Sequence, residues 1–140
     1  MTKKYDVFGI GNALVDKEFE VSDDFLAAQG IAKGMMSLID EPTQLRLLEN
    51  MKQTFGLKKR ASGGSAANTI VAVSQFGGKT FYACKVANDE AGEFYMNDLH
   101  AAGVLTGLNQ VRSNTEGVTG KCLVMVTPDA ERTMNTFLGI

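Results

Sequence analysis

Hydrophobic residues recur along the chain with two different periods, and these periods separate strands from helices. Residues 5–10 form a short apolar run closed by glycine, which predicts a strand that is buried on both faces. Residues 81–86 predict another buried strand. Residues 17–21 alternate between polar and apolar side chains, which is typical of a strand with one solvated face, and residues 35–39 form a second such piece.

Three segments show helical periodicity. The first is predicted to begin after Asp40, a favourable N-cap, and to end at Gly56. A second helix ends at Gly77, and a third runs from residue 88 or 89 to Gly103. The apolar stripe that predicts the first helix consists of Leu45, Leu48, Met51 and Phe55.

The order of these elements predicts an α/β fold. Buried strands that alternate with helices favour a parallel sheet with right-handed crossovers. The half-exposed strands at 17–21 and 35–39 do not alternate with helices, nor does the hairpin predicted at 120–137, which turns at Pro128-Asp129. These pieces are expected to form a separate small sheet.

Composition excludes several classes of protein. With 44% apolar and 21% charged residues, the 140-residue chain has the composition of one folded, soluble domain. The net charge of -2, without a basic stripe, argues against a nucleic-acid partner. The apolar runs are too short to span a membrane, and the first residues do not form a signal peptide. We therefore expect a cytoplasmic protein in which Cys84 and Cys122 are reduced.

The most informative segment is a glycine turn that opens directly into the second helix, with the sequence Gly63-Gly64-Ser65-Ala66-Ala67-Asn68-Thr69. Two glycines allow a ligand to approach the main chain, and the first helical turn offers unpaired N–H groups at the positive end of the helix dipole. Asn68 can both donate and accept hydrogen bonds. A hydroxyl-rich ligand or an anion would suit this arrangement. The alternative is a helix entry that serves packing alone, with Ser65 as its cap.

Together with residues 5–16 and 119–133, the glycine segment resembles the amino-terminal half of the PfkB/ribokinase family of carbohydrate and nucleoside kinases. The similarity is greatest to the adenosine-kinase-like branch. It implies a ribokinase-like fold, a parallel sheet with flanking helices plus a small β-sheet lid. Residues 1–140 would be the amino-terminal part of one such domain. Lid strands would lie within 17–39 and 120–137, and core elements within 5–16 and 40–116.

The resemblance also implies roles for individual residues. Asp16 would hold the acceptor's hydroxyl groups, since a carboxylate can accept two hydrogen bonds from a vicinal diol; the alternative is a solvated loop aspartate. Asn12 would assist Asp16. Further substrate contacts would come from Gly63, Gly64, Asn68 and, more doubtfully, Ser65, and also from Arg132, for which a surface salt bridge with Glu131 or Asp129 is an equal alternative.

The implied activity is transfer of the γ-phosphoryl group of ATP to a sugar or nucleoside hydroxyl. No catalytic residue is expected in this chain, because the family's second signature and its Asn-x-x-Glu motif are absent from residues 1–140. ATP and Mg²⁺ would bind mainly through residues beyond the chain, which alone should be inactive. A homodimer through the lid is a further expectation. Alternatives are a non-catalytic binding or interaction module and, less favoured, a dinucleotide-dependent oxidoreductase suggested by Gly9-Ile10-Gly11.

Overall fold

The chain divides into two compact units in a computed structural model that describes residues 3–108 and 116–140. The first unit comprises residues 1–15, 61–120 and 139–140, and the second comprises residues 16–60 and 121–138. The elements, in chain order, are β1 (Val7–Ile10), β2 (Leu14–Glu20), α1 (Asp23–Ala28), β3 (Met36–Leu38), α2 (Glu41–Thr54), β4 (Lys59–Gly63), α3 (Ser65–Gln75), β5 (Thr80–Ala83), α4 (Glu90–Ala101), β6 (Leu105–Thr106), β7 (Thr119–Val126) and β8 (Arg132–Gly139).

The first unit is built on a parallel sheet with the strand order β1-β5-β6. Val7 lies opposite Thr80, and Phe81 lies opposite Leu105. Helix α3 packs on β1 and β5, and α4 packs on β6. The predicted alternation of strands and helices in a parallel sheet is thus confirmed.

Two glycines of β1 and its following loop allow α3 to approach the sheet closely. A Cβ atom on Gly9 would lie 2.6 Å from Cγ1 of Ile70, and one on Gly11 would lie 3.0 Å from Cβ of Ala66, both in α3. This packing gives the Gly9-Ile10-Gly11 pattern a structural reason that involves no dinucleotide. The buried core of this unit consists of Ala13, Val15, Ala67, Ile70, Tyr82, Val86, Ala91, Tyr95, Leu99, Val104 and Leu108.

The prediction that β1 is buried on both faces is wrong for this chain. Phe8 is 61% exposed and Ile10 is 78% exposed, while Phe8 stacks on Phe81 with a ring-centroid distance of 5.1 Å. Helix α3 covers one face of β1, and no element among residues 3–108 and 116–140 covers the other face at Phe8 and Ile10. An apolar strip therefore remains open to solvent on this sheet.

The second unit is built on a five-stranded sheet with the order β3-β8-β7-β2-β4. Strands β7 and β8 form the predicted hairpin around Pro128-Asp129, and β3 pairs in parallel with β8, Met36 lying opposite Met134. The expectation of a separate small sheet is confirmed. Its core with α1 and α2 consists of Phe19, Val21, Leu26, Leu47, Leu48, Met51, Leu123 and Met125.

Helix α2 begins at its predicted cap and buries Leu48 and Met51 of its predicted apolar stripe, but not Leu45. Leu45 is 53% exposed, whereas Leu47 is only 2% exposed and packs in the core of the second unit. The buried face follows the helical spacing from Gln44 through Leu47 and Leu48 to Met51, and Leu45 lies about a quarter turn away. This packing places α2 in the second unit, although its sequence had been grouped with the core segment 40–116.

Three elements, α1, β4 and β6, were not predicted, and part of one predicted segment lies outside the described residues. Helix α1 has only six residues, so too few apolar positions show its period. Strand β4 contains Lys59 and Arg60, which are both exposed although they lie in the sheet. Residues 109–115 of the predicted core segment lie outside the described part of the chain.

Candidate functional site

The glycine segment forms a sharp corner between β4 and α3. Strand β4 ends at Gly63, and Gly64 adopts a positive φ of 101° before α3 begins at Ser65. A Cβ atom on Gly64 would lie 2.8 Å from the main-chain oxygen of Asn12. Both the left-handed backbone and this close approach require glycine at position 64. The corner therefore brings the glycine segment next to the loop that follows β1.

The first turn of α3 lacks the caps that the neighbouring helices have. Asp40 caps α2 and Asp89 caps α4 through side-chain oxygens, and both of these helices carry acidic residues in the first turn. The N-cap of α3 is Gly64, no side chain among the described residues caps it, and its first turn contains no acidic residue. The alternative that Ser65 caps the helix is thus wrong. The positive end of α3 is left for another acceptor.

Two polar side chains stand on the exposed surface of that first turn. Ser65 and Asn68 are both exposed and, being three residues apart, lie on the same side of the helix. The backbone N–H of Asn68 donates to the oxygen of Gly64 at 2.9 Å. The side-chain amide of Asn68 is exposed at the surface. Ala67 and Ile70 point into the core and fix this orientation.

Buried tyrosines hold the corner in place. The Tyr95 hydroxyl donates to the oxygen of Gly63 at 3.0 Å, and the Tyr82 hydroxyl donates to the oxygen of Asn12 at 3.1 Å. Asp98 accepts from the backbone N–H of Ser62 at 2.9 Å. The sequence alone did not reveal these hydrogen bonds, because their partners are far apart along the chain.

Asp16 lies in the second unit, in strand β2, with a partly buried carboxyl. Burial raises the pKa of this carboxyl to about 6; the Arg132 guanidinium opposes the rise and the Glu18 carboxylate adds to it. No residue in the described part of the chain donates a hydrogen bond to Asp16. Its oxygens can therefore accept hydrogen bonds from a ligand.

Arg132 pairs across the same sheet rather than within its own loop. Its Nη2 lies 3.4 Å from Oε2 of Glu18, so the alternative of a salt bridge with Glu131 or Asp129 is wrong. Asp129 instead binds Nζ of Lys33 at 2.7 Å. Arg132 is 64% exposed and contributes a positive charge near Asp16.

Four apolar side chains of the second unit, Met35, Met36, Leu123 and Met125, differ in their exposure. Leu123 and Met125 are fully buried against the helices of the second unit, whereas Met35 and Met36 are each 57% exposed. Only the two exposed methionines can contact a ligand.

Neither a metal centre nor a membrane span can be assigned to this part of the chain. Residues 3–108 and 116–140 contain no group of three His, Cys, Asp or Glu side chains suited to a metal ion. None of the helices in these ranges is long and apolar enough to cross a bilayer. Cys84 and Cys122 are both free thiols, and burial raises the pKa of Cys84 to about 12.

Comparison with known proteins gives consistent matches. A protein-family model described as pfkB family carbohydrate kinase matches residues 30–140. The guanosine-inosine kinase of Escherichia coli (strain K12) is 26% identical over 129 residues, which cover 91% of this chain and 30% of that protein. Among curated relatives of this kind, the chain thus spans about a third of the full length.

Solved structures match over almost the whole chain. The adenosine kinase of Sinorhizobium meliloti has a TM-score of 0.84 and 40% identity, covering 98% of this chain and 40% of that one. A probable sugar kinase protein of Rhizobium etli CFN 42 has a TM-score of 0.85 and 37% identity, covering 99% and 40%. The fold is therefore ribokinase-like, as the sequence predicted.

Proposed function

Because this chain belongs to the PfkB family of carbohydrate kinases, we propose that it is the acceptor-binding part of an ATP-dependent kinase that phosphorylates a nucleoside or sugar hydroxyl. The acceptor contacts proposed are Asn12, Asp16, Gly63, Gly64 and Asn68, with Ser65 and Arg132 at the margin. The observation that carries the proposal is the Asp16 carboxyl, which is partly buried and accepts no hydrogen bond from the described residues.

Asp16 has the chemistry needed to hold a diol. With a pKa of about 6, most of its carboxyl is ionised at neutral pH and can accept two hydroxyl hydrogen bonds. Hydrogen bonds to a charged acceptor in a partly buried site contribute roughly 1.5–3 kcal/mol. Holding the diol would also orient the hydroxyl that is to be phosphorylated, which is the main contribution that a kinase can make to its acceptor.

The corner at Gly64 would supply a second set of contacts. Without a Cβ at Gly63 and Gly64, a sugar ring can approach the main chain, and the uncapped N–H groups of α3 can donate to its oxygens. Asn68 and Ser65 stand on the exposed side of the same turn and would add side-chain hydrogen bonds. The positive charge of Arg132 would stabilise the ionised form of Asp16.

A nucleoside is the acceptor that we favour. Relatives include an adenosine kinase at 40% identity and a guanosine-inosine kinase at 26% identity. Met35 and Met36 are exposed and polarizable, and would offer an apolar contact to a base. A sugar acceptor remains the second candidate, because the sugar kinase match reaches 37% identity.

ATP and Mg²⁺ are the proposed cosubstrate and metal. When bound, Mg²⁺ neutralises charge on the transferred phosphoryl group. Since no acidic cluster in the described residues suits a metal ion, we assign no residue of this chain to it. The catalytic base and the phosphate contacts are proposed to lie outside residues 1–140.

The proposal predicts that the full-length protein converts ATP to ADP in the presence of adenosine, guanosine, inosine or a sugar, whereas residues 1–140 do not.

Asp16→Ala should lower kcat/KM at least about tenfold, in line with the loss of a charged hydrogen-bond acceptor. Asp24→Ala, at an exposed position on α1, is the matched control and should leave kcat/KM unchanged. Acceptor binding by calorimetry without any phosphorylation would favour a non-catalytic module instead.

We propose no nucleic-acid or membrane partner for the whole protein, but we propose two further properties of it. Strand β3 is an edge of its sheet and exposes Met36 and Leu38, at 57% and 62%, so a homodimer through this sheet would cover them. A purely monomeric species in sedimentation at micromolar concentration would reject the dimer. The cytoplasm, where ATP is abundant, is the proposed location, which fractionation of the source cells would test.

A further inference from the structure

We infer that the second unit carries a separate binding site for a small organic anion, in a cleft between α2 and the strands β3 and β8. The cleft has a volume of about 310 Å³, within the usual range of small-molecule sites. Ser37 of β3 and Asn135 of β8 form its floor and lie opposite each other in the sheet. Apolar walls come from Ile39 and Leu47.

This cleft is not the proposed acceptor site. Leu47 belongs to the core that also contains Phe19 of β2. Asp16 is three residues from Phe19 in the same strand, and side chains an odd number of residues apart point to opposite faces of a sheet. The cleft and Asp16 are therefore on opposite faces of the sheet in this unit.

The charge of the cleft selects for anions. Arg46 is the only charged residue of its lining. The Arg46 guanidinium is exposed, and Nη1 lies 3.5 Å from Oε1 of Gln29, a long contact that leaves most of its donors available. Asp40 is a carboxylate whose pKa is lowered first by its hydrogen bonds with Thr43 and least by the charge of Arg46. Asp40 is thus engaged as the helix cap.

The floor of the cleft contains a polar side chain that is almost fully buried. Asn135 is only 4% exposed and lines the cleft together with Ser37. An amide can both donate and accept hydrogen bonds, so Asn135 offers polar contacts to a ligand in the cleft.

These groups define the class of ligand. A carboxylate or phosphomonoester would pair with Arg46, and a polar atom of its body would bond to Asn135. An apolar or aromatic body would contact Ile39 and Leu47. Neutral molecules of the same shape would lose the charge-assisted contact, and cations would be repelled.

The test uses NMR of the full-length protein with methyl-labelled isoleucine and leucine, titrated separately with benzoate, phenyl phosphate and the neutral isostere benzamide. We expect saturable shifts of the Ile39 and Leu47 methyl signals with at least one anion, and binding at least about fivefold tighter than that of benzamide. The tighter of the two anions identifies the carboxylate or the phosphomonoester class. Binding is read directly, so the result does not depend on kinase activity.

Variants distinguish anion binding in the cleft from nonspecific electrostatic attraction of anions to the protein surface. Arg46→Gln should weaken anion binding at least about fivefold, while Lys52→Gln, which removes an exposed cation of the same helix outside the cleft, should change it less than twofold. Asn135→Ala should weaken binding while the methyl spectrum of the remaining core is unchanged. No saturable shift at Ile39 and Leu47, equal binding of benzamide, or equal losses in Arg46→Gln and Lys52→Gln would overturn the inference.

Discussion

Asp16 shows how a single residue can be costly for folding and useful for binding. Its pKa of about 6 lies above the ordinary value of 3.8 because burial disfavours the charged form. A carboxyl whose pKa is raised in the folded state favours folding at pH below 3.8, and that contribution is lost as the pH rises through 6. Above pH 6 the ionised Asp16 therefore destabilises the protein.

We accordingly expect Asp16→Asn to raise the melting temperature at pH 8 and to give a smaller gain at pH 4.5. Asp16 is partly solvated, so the gain at pH 8 should correspond to only about 1 kcal/mol. Thermal unfolding at both pH values measures it, with the exposed Asp24→Asn as the control. A gain that does not depend on pH would show that the carboxyl is not desolvated.

The activity of the unmodified kinase should also depend on pH. Its kcat/KM should fall as the pH drops below 6, because Asp16 becomes protonated.

Gly64 is the second residue at which local geometry makes a sharp prediction. Gly64→Ala would introduce a Cβ at a φ of 101° and 2.8 Å from the oxygen of Asn12, with a cost of about 2–4 kcal/mol. Gly56→Ala is a matched control, because its φ is 75° but nothing lies within 4 Å of the added Cβ. Urea unfolding should show the larger loss for Gly64→Ala; equal losses would mean that only the positive φ matters.

At the scale of elements, α2 tests which side chains hold the second unit together. Leu47→Ala removes a side chain that is 2% exposed and should cost about 2–5 kcal/mol. Leu45→Ala, at a position that is 53% exposed, should cost less than about 1 kcal/mol. Chemical denaturation of both variants provides the measurement. The reverse order would mean that Leu45, and not Leu47, belongs to the face that packs in the core.

These elements also show how far sequence alone could lead. Strong local signals, such as the caps Asp40 and Asp89 and the turn at Pro128-Asp129, located helices and the hairpin correctly. Leu45 was wrongly included in the buried stripe because it lies three residues before Leu48, the spacing expected of one helix face. The short α1 and the charged β4 are stabilised by neighbours distant in the sequence, and local patterns do not report such contacts.

The sequence suggested residues for the candidate site but not the contacts that hold them in place. The glycine segment and Asp16 stand out because two glycines open directly into a helix and a carboxylate follows soon after the first predicted strand. The Glu18 partner of Arg132 and the tyrosines that hold the corner depend on strand pairing and helix packing. Such partners become visible only when the fold is known.

At the scale of the whole molecule, the proposed kinase requires the second unit to respond to its acceptor. Strand β3 is short, exposed and at a sheet edge, whereas β5 lies between two strands. We expect amides of residues 36–38 to exchange faster than those of residues 80–83 in the free full-length protein, and to slow when acceptor is added. Hydrogen exchange with and without adenosine measures this, with ATP alone as the control. Equal protection in both strands, unchanged by acceptor, would contradict the assignment of this sheet as a lid.

The interleaved segments of the two units have a consequence for how the protein is made. Strand β3 pairs with β8, so Met36 leaves the ribosome long before Met134, its neighbour in the sheet. At roughly 5–20 residues per second, the nascent strand must wait on the order of 5–20 s for its partner. Strand β1 likewise waits for β5. Synthesis therefore exposes Phe8, Ile10, Met36 and Leu38 to other nascent chains, and chaperones that shield apolar strands should improve the yield of folded protein.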